Sequence, residues 1–133
     1  MNLPSVYFFC QPQGAPDRAA YQHAAVGLAE GLKDLGVPVF SNTNYWRLDP
    51  SGNEFLFSAS PDVEPWDCDV VVLNDRWFEY GGVMPDGLFR KGRKHLAVYL
   101  DIADGLFTRG FDAGFRPFDV ILKAHWNRRM TRY

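Results

Sequence analysis

The sequence has little of what several classes of protein require. It holds only two cysteines, Cys10 and Cys68, and no apolar run near the roughly 20 residues that span a bilayer. Both cysteines fall in segments predicted to be buried strands, which favours inert thiols over a disulfide and fits a reducing compartment. The N-terminus lacks the basic start and apolar run of a signal peptide. We therefore expect a cytoplasmic protein without a membrane span.

An excess of positive charge is also lacking. The 14 lysines and arginines stand against 16 aspartates and glutamates, which gives a net charge of −2. A general nucleic-acid-binding surface needs a clear basic excess, so nucleic acid is not an expected partner. The three histidines and two cysteines are scattered, without the spacing typical of metal ligands. The sequence therefore predicts no metal and no cofactor.

The motifs that bind phosphates or supply a nucleophile are absent as well. The sequence contains neither Gly-x-Gly-x-x-Gly nor Gly-x-x-x-x-Gly-Lys-Ser, which disfavours a tightly bound dinucleotide or a Walker-type nucleotide. It also contains no Gly-x-Ser-x-Gly elbow, and nothing in it resembles a Ser-His-Asp triad. Any chemistry is therefore expected from carboxylates and from polar side chains at the ends of strands.

What the sequence does contain first is a strand–helix–strand unit over residues 5–40. The run 5–10 is apolar and β-prone, as a strand buried on both faces should be. A helix is predicted from Asp17, a suitable N-cap, to Leu35, with Gly36 as the glycine that ends it. The apolar stripe of this helix has helical spacing and comprises Tyr21, Ala24, Ala25, Leu28, Leu32 and Leu35.

Two glycines lie inside the predicted helix, at Gly27 and Gly31. Each costs about 1 kcal/mol of helix propensity relative to alanine. Because they lie one turn apart beside the apolar stripe, they predict a close approach of the helix to the sheet.

Strand, turn and hairpin signals continue along the chain. Residues 45–48 and 54–57 flank a turn-rich loop and predict a β-hairpin at the edge of the sheet. Buried strands are predicted at 37–40, 69–73, 96–100 and 119–122. A short helix is predicted at 85–91, loops at 74–82 and 101–117, and the start of a helix at 123–133. Together these elements predict one α/β domain over residues 1–133, a three-layer Rossmann-like fold with a mostly parallel sheet.

Ligands of open α/β sheets bind beyond the carboxyl ends of the strands, so the residues there are the candidate site. The predicted catalytic residues are Asp101, Asp104 and His125. Two close carboxylates split their pKa values or hold a cation, and His125 lies at the same edge. The alternative for Asp101 is a structural role, capping nearby backbone N–H groups. The predicted substrate-binding residues are Gln13, Gly14, Asn42, Asn74, Asp75, Arg76 and Trp77.

The run Gly-Leu-Ala-Glu-Gly-Leu-Lys-Asp-Leu-Gly-Val-Pro-Val, from Gly27 to Val39, resembles the first crossover of glycosyltransferases with two Rossmann-like domains, the GT-B type. In that family a helix of this pattern leads into the second strand of the N-terminal domain. That domain holds the acceptor, while the nucleotide-sugar lies largely on the C-terminal domain. The resemblance implies an acceptor-side domain of a glycosyltransferase, the N-terminal part of a longer protein, with a carbohydrate acceptor and little or no activity alone.

Two other interpretations and one further partner stay open. The chain is alternatively a non-enzymatic Rossmann- or flavodoxin-like binding or regulatory module, or a small hydrolase that uses Asp101 and Asp104 with a metal. The resemblance implies a donor-binding domain as partner. Trp126 and Arg129, on the predicted C-terminal helix, are the expected contacts to that domain or to a second copy of the chain.

Overall fold

A computed structural model describes residues 2–11, 22–103, 107–124 and 131–132. The helices and strands, in chain order, are β1 (Val6–Phe9), α1 (His23–Asp34), β2 (Val39–Ser41), β3 (Tyr45–Arg47), β4 (Phe55–Phe57), β5 (Val70–Asn74), α2 (Asp75–Glu79), β6 (Leu96–Asp101), β7 (Phe107–Thr108), β8 (Val120–Lys123) and β9 (Thr131–Arg132). Five strands form a parallel sheet in the order β2-β1-β5-β6-β8. The predicted α/β class and parallel sheet are therefore confirmed, and the strand order reverses between β1 and β5.

Helix α1 packs on β2 and β4 and covers a core cluster on one face of the sheet. Its buried residues are Ala25, Val26 and Ala29, whereas Leu35 is 73% exposed. The predicted stripe is therefore wrong at Ala24, which is exposed, and at Leu35. Small side chains face inward because the helix also packs on β4, and Leu35 is the C-cap, beyond the last full turn. The predicted start at Asp17 and the stripe residue Tyr21 lie outside the described residues.

The C-terminus of α1 ends as the sequence predicts. Gly36 has a φ of +79°, in the left-handed region that favours glycine. Its N–H donates to the Lys33 carbonyl at 2.8 Å, and the Val37 N–H donates to the Leu32 carbonyl at 2.9 Å. These two bonds form a Schellman motif, which satisfies carbonyls of the last turn and directs the chain into β2.

The two glycines within α1 lie on its solvent side, so the predicted close approach to the sheet is wrong. A Cβ atom added at Gly27 or Gly31 meets no other atom within 4 Å. The small buried residues Ala25 and Ala29 provide the close packing instead.

Gly31→Ala should therefore raise the free energy of unfolding by up to about 1 kcal/mol, because alanine is the better helix former and has room. Gly36→Ala is the matched control and should lower it by about 1 kcal/mol, because a Cβ is strained at positive φ. Urea denaturation followed by circular dichroism measures both. A destabilised Gly31→Ala would place that glycine against another part of the protein.

The predicted hairpin is confirmed as an antiparallel pair, β3 and β4, beside the β2 edge of the sheet. It forms a small sheet of its own, joined to β2 by a bond from the Ser41 N–H to the Ser58 carbonyl at 2.8 Å. Tyr45 and Phe57 are fully buried with stacked rings, and Phe57 contacts Phe8 of β1 edge to face. The hairpin therefore closes one side of the core beneath α1.

The other sheet face is covered by turns rich in aromatic residues rather than by long helices. Tyr99 of β6 is fully buried, with its ring centroid 4.9 Å from that of Phe115 and 5.4 Å from that of Phe118. Trp66 lies against Gly87, where an added Cβ would come within 2.4 Å of the indole ring. The predicted helix at 85–91 is wrong, because this segment follows the Trp66 surface as turns.

Two other predicted segments differ in the structure. The predicted loop 74–82 contains the short helix α2, and the predicted loop 101–117 contains β7 and two 3₁₀ turns. In the predicted C-terminal helix, Lys123 ends β8 and Thr131–Arg132 form β9, which pairs in parallel with β7, so a helix over these residues is wrong. Trp126 and Arg129 lie outside the described residues. No helix in the described ranges is long and apolar enough to cross a membrane.

Candidate functional site

The carboxyl ends of the parallel strands are tied to one another by side-chain amides. Asn42, just after β2, forms a two-way clamp with the main chain of Cys10, just after β1. The Cys10 N–H donates to the Asn42 Oδ1 at 2.7 Å, and the Asn42 Nδ2 donates to the Cys10 carbonyl at 3.0 Å. The clamp fixes the ends of β1 and β2 relative to each other, so the Asn42 side chain has a structural role at this edge.

A second amide chain links β1, α1 and β5 across the point where the strand order reverses. Gln22, directly before α1 and fully buried, donates from Nε2 to the Gln11 carbonyl at 3.1 Å. Asn74, at the end of β5, donates from Nδ2 to the Gln22 Oε1 at 2.6 Å. Sequence reasoning missed Gln22, because a single glutamine before a helix carries no distinctive pattern.

Asn74 also begins α2 and so positions the residue that follows it. Its Oδ1 accepts the N–H of Trp77 at 3.1 Å, which is the bond of a helix N-cap. Asp75 is therefore the first residue of α2, and the fold holds it at the sheet edge beside the end of β6. The sequence places Asp75 among the polar strand ends but does not predict the helix that orients it.

Asp75 is a buried carboxylate with a raised pKa. It is fully buried, and neither of its carboxylate oxygens has a hydrogen bond of normal geometry to the described residues. Burial raises its pKa from the ordinary 3.8 to about 6; the positive charge of Arg76 opposes this rise, and the charges of Glu79 and Asp101 add to it. The nearby N–H of Ile102 lowers the pKa in part. A carboxylate that gains a proton near pH 6 can serve as a general base close to neutral pH.

Asp101 ends β6 and forms a buried ion pair with Lys123, which ends β8. The Lys123 Nζ lies 3.3 Å from the Asp101 Oδ1, and the two side chains are 3% and 0% exposed. Lys123 also donates to the Ala103 carbonyl, while the Ala103 N–H donates to the Asp101 Oδ1 at 3.3 Å. Asp101 Oδ2 has no partner among the described residues. Lys123 thus balances the charge of the Asp101 carboxylate.

Of the other predicted site residues, Arg76 and Trp77 are bound to partners within or near α2. Arg76 pairs with Glu79 one turn along α2. The Trp77 ring packs against Phe9 with centroids 5.2 Å apart, and its indole N–H donates to the Val83 carbonyl at 2.8 Å. Gln13, Gly14, Asp104 and His125 lie outside the described residues.

The described ranges contain no group of three or more histidine, cysteine, aspartate or glutamate side chains placed to hold a metal ion. The fold and the site together define a class: an α/β domain with a five-stranded parallel sheet and with two buried carboxylates and a lysine at the carboxyl edge of that sheet. In comparisons with protein-family models, curated proteins and solved structures, nothing matches the chain.

Proposed function

We propose that this chain is the acceptor-side domain of a glycosyltransferase and that Asp75 is its general base. The observation that carries the proposal is Asp75 itself, a buried carboxylate without a hydrogen bond of normal geometry to the described residues and with a pKa raised to about 6. It lies at the strand ends, where open α/β sheets bind their ligands. The resemblance of residues 27–39 to the first crossover of such enzymes supports the same assignment.

The reaction needs one proton acceptor on the acceptor side. The acceptor hydroxyl oxygen forms a bond to the anomeric carbon of the donor sugar, and the bond from that carbon to the nucleoside diphosphate breaks. The hydroxyl proton passes to Asp75, which is ionised at neutral pH and gains basicity from burial. Lys123 is a positioning residue in this scheme, because it neutralises Asp101 and keeps the second carboxylate in place.

The absence of a glycine-rich phosphate loop supports the acceptor side rather than the donor side. A nucleotide-sugar then requires a second domain, which supplies the phosphate contacts.

The test is Asp75→Asn, assayed as nucleoside diphosphate released from UDP- and GDP-hexoses with methyl glycosides as acceptors, using the domain joined to its donor-binding partner. We expect kcat/KM to fall by about 10²–10⁴-fold, with little change in the acceptor KM, because the amide keeps the shape and removes the base. Asp62→Asn, the same change at an exposed position away from the site, is the matched control and should retain activity.

Three results would contradict the proposal. An Asp75→Asn variant as active as the wild type removes the base assignment. Micromolar binding of UDP or GDP by the domain alone makes it a donor-side domain, because the sequence predicts no better than about millimolar affinity. Glycoside binding that Asp75→Asn leaves unchanged, without transfer in either protein, supports the non-enzymatic binding module instead.

A further inference from the structure

We propose that a cavity at the outer edge of β8 is a second binding site, for a small neutral ligand with an apolar ring and one hydroxyl or carbonyl group. The cavity encloses about 420 Å³ and is lined by Thr108, Gly110, Phe111, Ile121, Leu122 and Lys123. This volume is within the range of small-molecule sites, about 300–1,000 Å³. The site is distinct from the Asp75 carboxylate and does not depend on the proposed transferase activity.

The side chains that line the cavity are mostly apolar, and two of the large ones are partly exposed to solvent. Leu122 is 49% exposed and Phe111 is 37% exposed, although both are large hydrophobic side chains. Ile121, which is partly buried against the aromatic core, also lines the cavity. An aromatic or alicyclic ring in this space would cover apolar surface that water now contacts, which is the main source of affinity for such ligands.

Gly110 and Thr108 form the polar end of the cavity. A Cβ added at Gly110 would lie 3.2 Å from both Ile121 Cδ1 and Thr108 Oγ1, so glycine lets this turn approach β8 closely. Thr108 is 2% exposed, and its Oγ1 accepts the Gly110 N–H at 3.0 Å. Because a hydroxyl carries one hydrogen and two lone pairs, Thr108 can also donate to a ligand oxygen. One hydroxyl or carbonyl oxygen of the ligand can therefore accept a hydrogen bond from Thr108.

The charge of the site explains why the ligand should be neutral. Lys123 is the one charged residue among the lining side chains named above, and its ammonium is bound to Asp101 at 3.3 Å. The ammonium is therefore already neutralised and does not attract a second anion. No acidic side chain lines the described cavity wall, so a cation has no partner there either.

The test uses 2-naphthol, a neutral ring compound with one hydroxyl, titrated into the isotopically labelled protein and followed by amide NMR. We expect saturable shifts at Gly110 and Lys123 with a Kd of about 1 mM or tighter. Leu122→Trp, which places a larger ring in the cavity, should weaken binding at least about tenfold, because it fills the space the ligand needs. Val120→Trp is the matched control: it lies on the same face of β8, is 41% exposed and does not line the cavity. It should bind within about twofold of the wild type.

Phe111→Ala provides a second variant should Leu122→Trp fold poorly, and it should also weaken binding because it removes one wall. The 2-naphthoate anion should bind at least about tenfold less tightly than 2-naphthol. The proposal is overturned if the shifts do not map to Gly110 and Lys123, or if Val120→Trp and Leu122→Trp lose binding equally. Concentration-dependent shifts at Gly110 without any ligand also overturn it, since they mean that a second copy of the chain occupies the cavity.

Discussion

Lys123→Met is expected to lower the free energy of unfolding by about 3–5 kcal/mol, because it leaves the Asp101 carboxylate buried without its cation. Both side chains of this pair are nearly inaccessible, at 3% and 0% exposure, so water cannot replace the lost partner. Methionine keeps much of the length and apolar volume of the lysine stem, so the loss reports the charge rather than a cavity. Urea denaturation at neutral pH gives the measurement.

The control for this prediction is Lys33→Met, which breaks the Lys33–Glu54 pair at 3.2 Å between α1 and the start of β4. Its side chains are 45% and 70% exposed, so its loss should cost about 0–1 kcal/mol. The double variant Lys123→Met with Asp101→Asn should recover much of the stability lost in Lys123→Met, because no charge is then left unpaired. A Lys123→Met variant no less stable than Lys33→Met would mean that the buried pair does not form in solution.

The sequence predicts the strands of this fold better than the elements between them. Central parallel strands are buried on both faces and appear as short apolar runs, such as the one that becomes β5, so composition alone locates them. Gly36 is predictable for a similarly local reason, since a helix that ends in the left-handed conformation favours glycine. The hairpin follows from its turn-rich loop between two apolar segments.

Two features depend on tertiary packing and are not predictable in full from the sequence: which residues of α1 are buried, and the existence of the short helix α2. The apolar spacing predicts the face that carries Leu28 and Leu32, and both do pack against the core. The most deeply buried residues are instead the smaller Ala25, Val26 and Ala29, because the hairpin also packs on that side. Helix α2 has only five residues and is started by the Asn74 side chain. Too few residues are involved for a periodic pattern to be visible.

The position of the candidate site at the strand ends follows from the topology of the sheet, but the ion pair between Asp101 and Lys123 is not predictable from the sequence. Asp101 and Asp75 are both strand-end residues, and their placement at one edge follows from the parallel sheet. The partner of Asp101 is Lys123, opposite it in the β6–β8 register and 22 positions away in the chain. The register of two strands is fixed by the whole packed structure, so no local sequence motif predicts this ion pair.

Asp75→Asn is expected to make the protein more stable at neutral pH, by up to about 3 kcal/mol. The folded state holds the pKa of Asp75 at about 6, whereas the ordinary value is 3.8. Between these two pH values the folded protein binds a proton that the unfolded chain has released, so wild-type stability falls as pH rises through this window. Above about pH 6 the folded state carries the full cost of a buried charge, and below about pH 4 the cost is absent.

The informative quantity is the change with pH in the stability difference between Asp75→Asn and the wild type. Subtracting the two proteins cancels the titration of groups that they share, and it also cancels any fixed cost of the amide itself. The difference should grow in favour of the variant from pH 4 to pH 7.5, measured by urea denaturation at each pH. Glu30→Gln, on the exposed side of α1, is the control and should track the wild type throughout. A stability difference that stays constant from pH 4 to pH 7.5 would mean that the pKa of Asp75 is not raised in the folded protein. The proposal that Asp75 is a general base would then lose its main support. Strongly raised pKa values cluster at functional sites, where a destabilising buried charge is retained for activity.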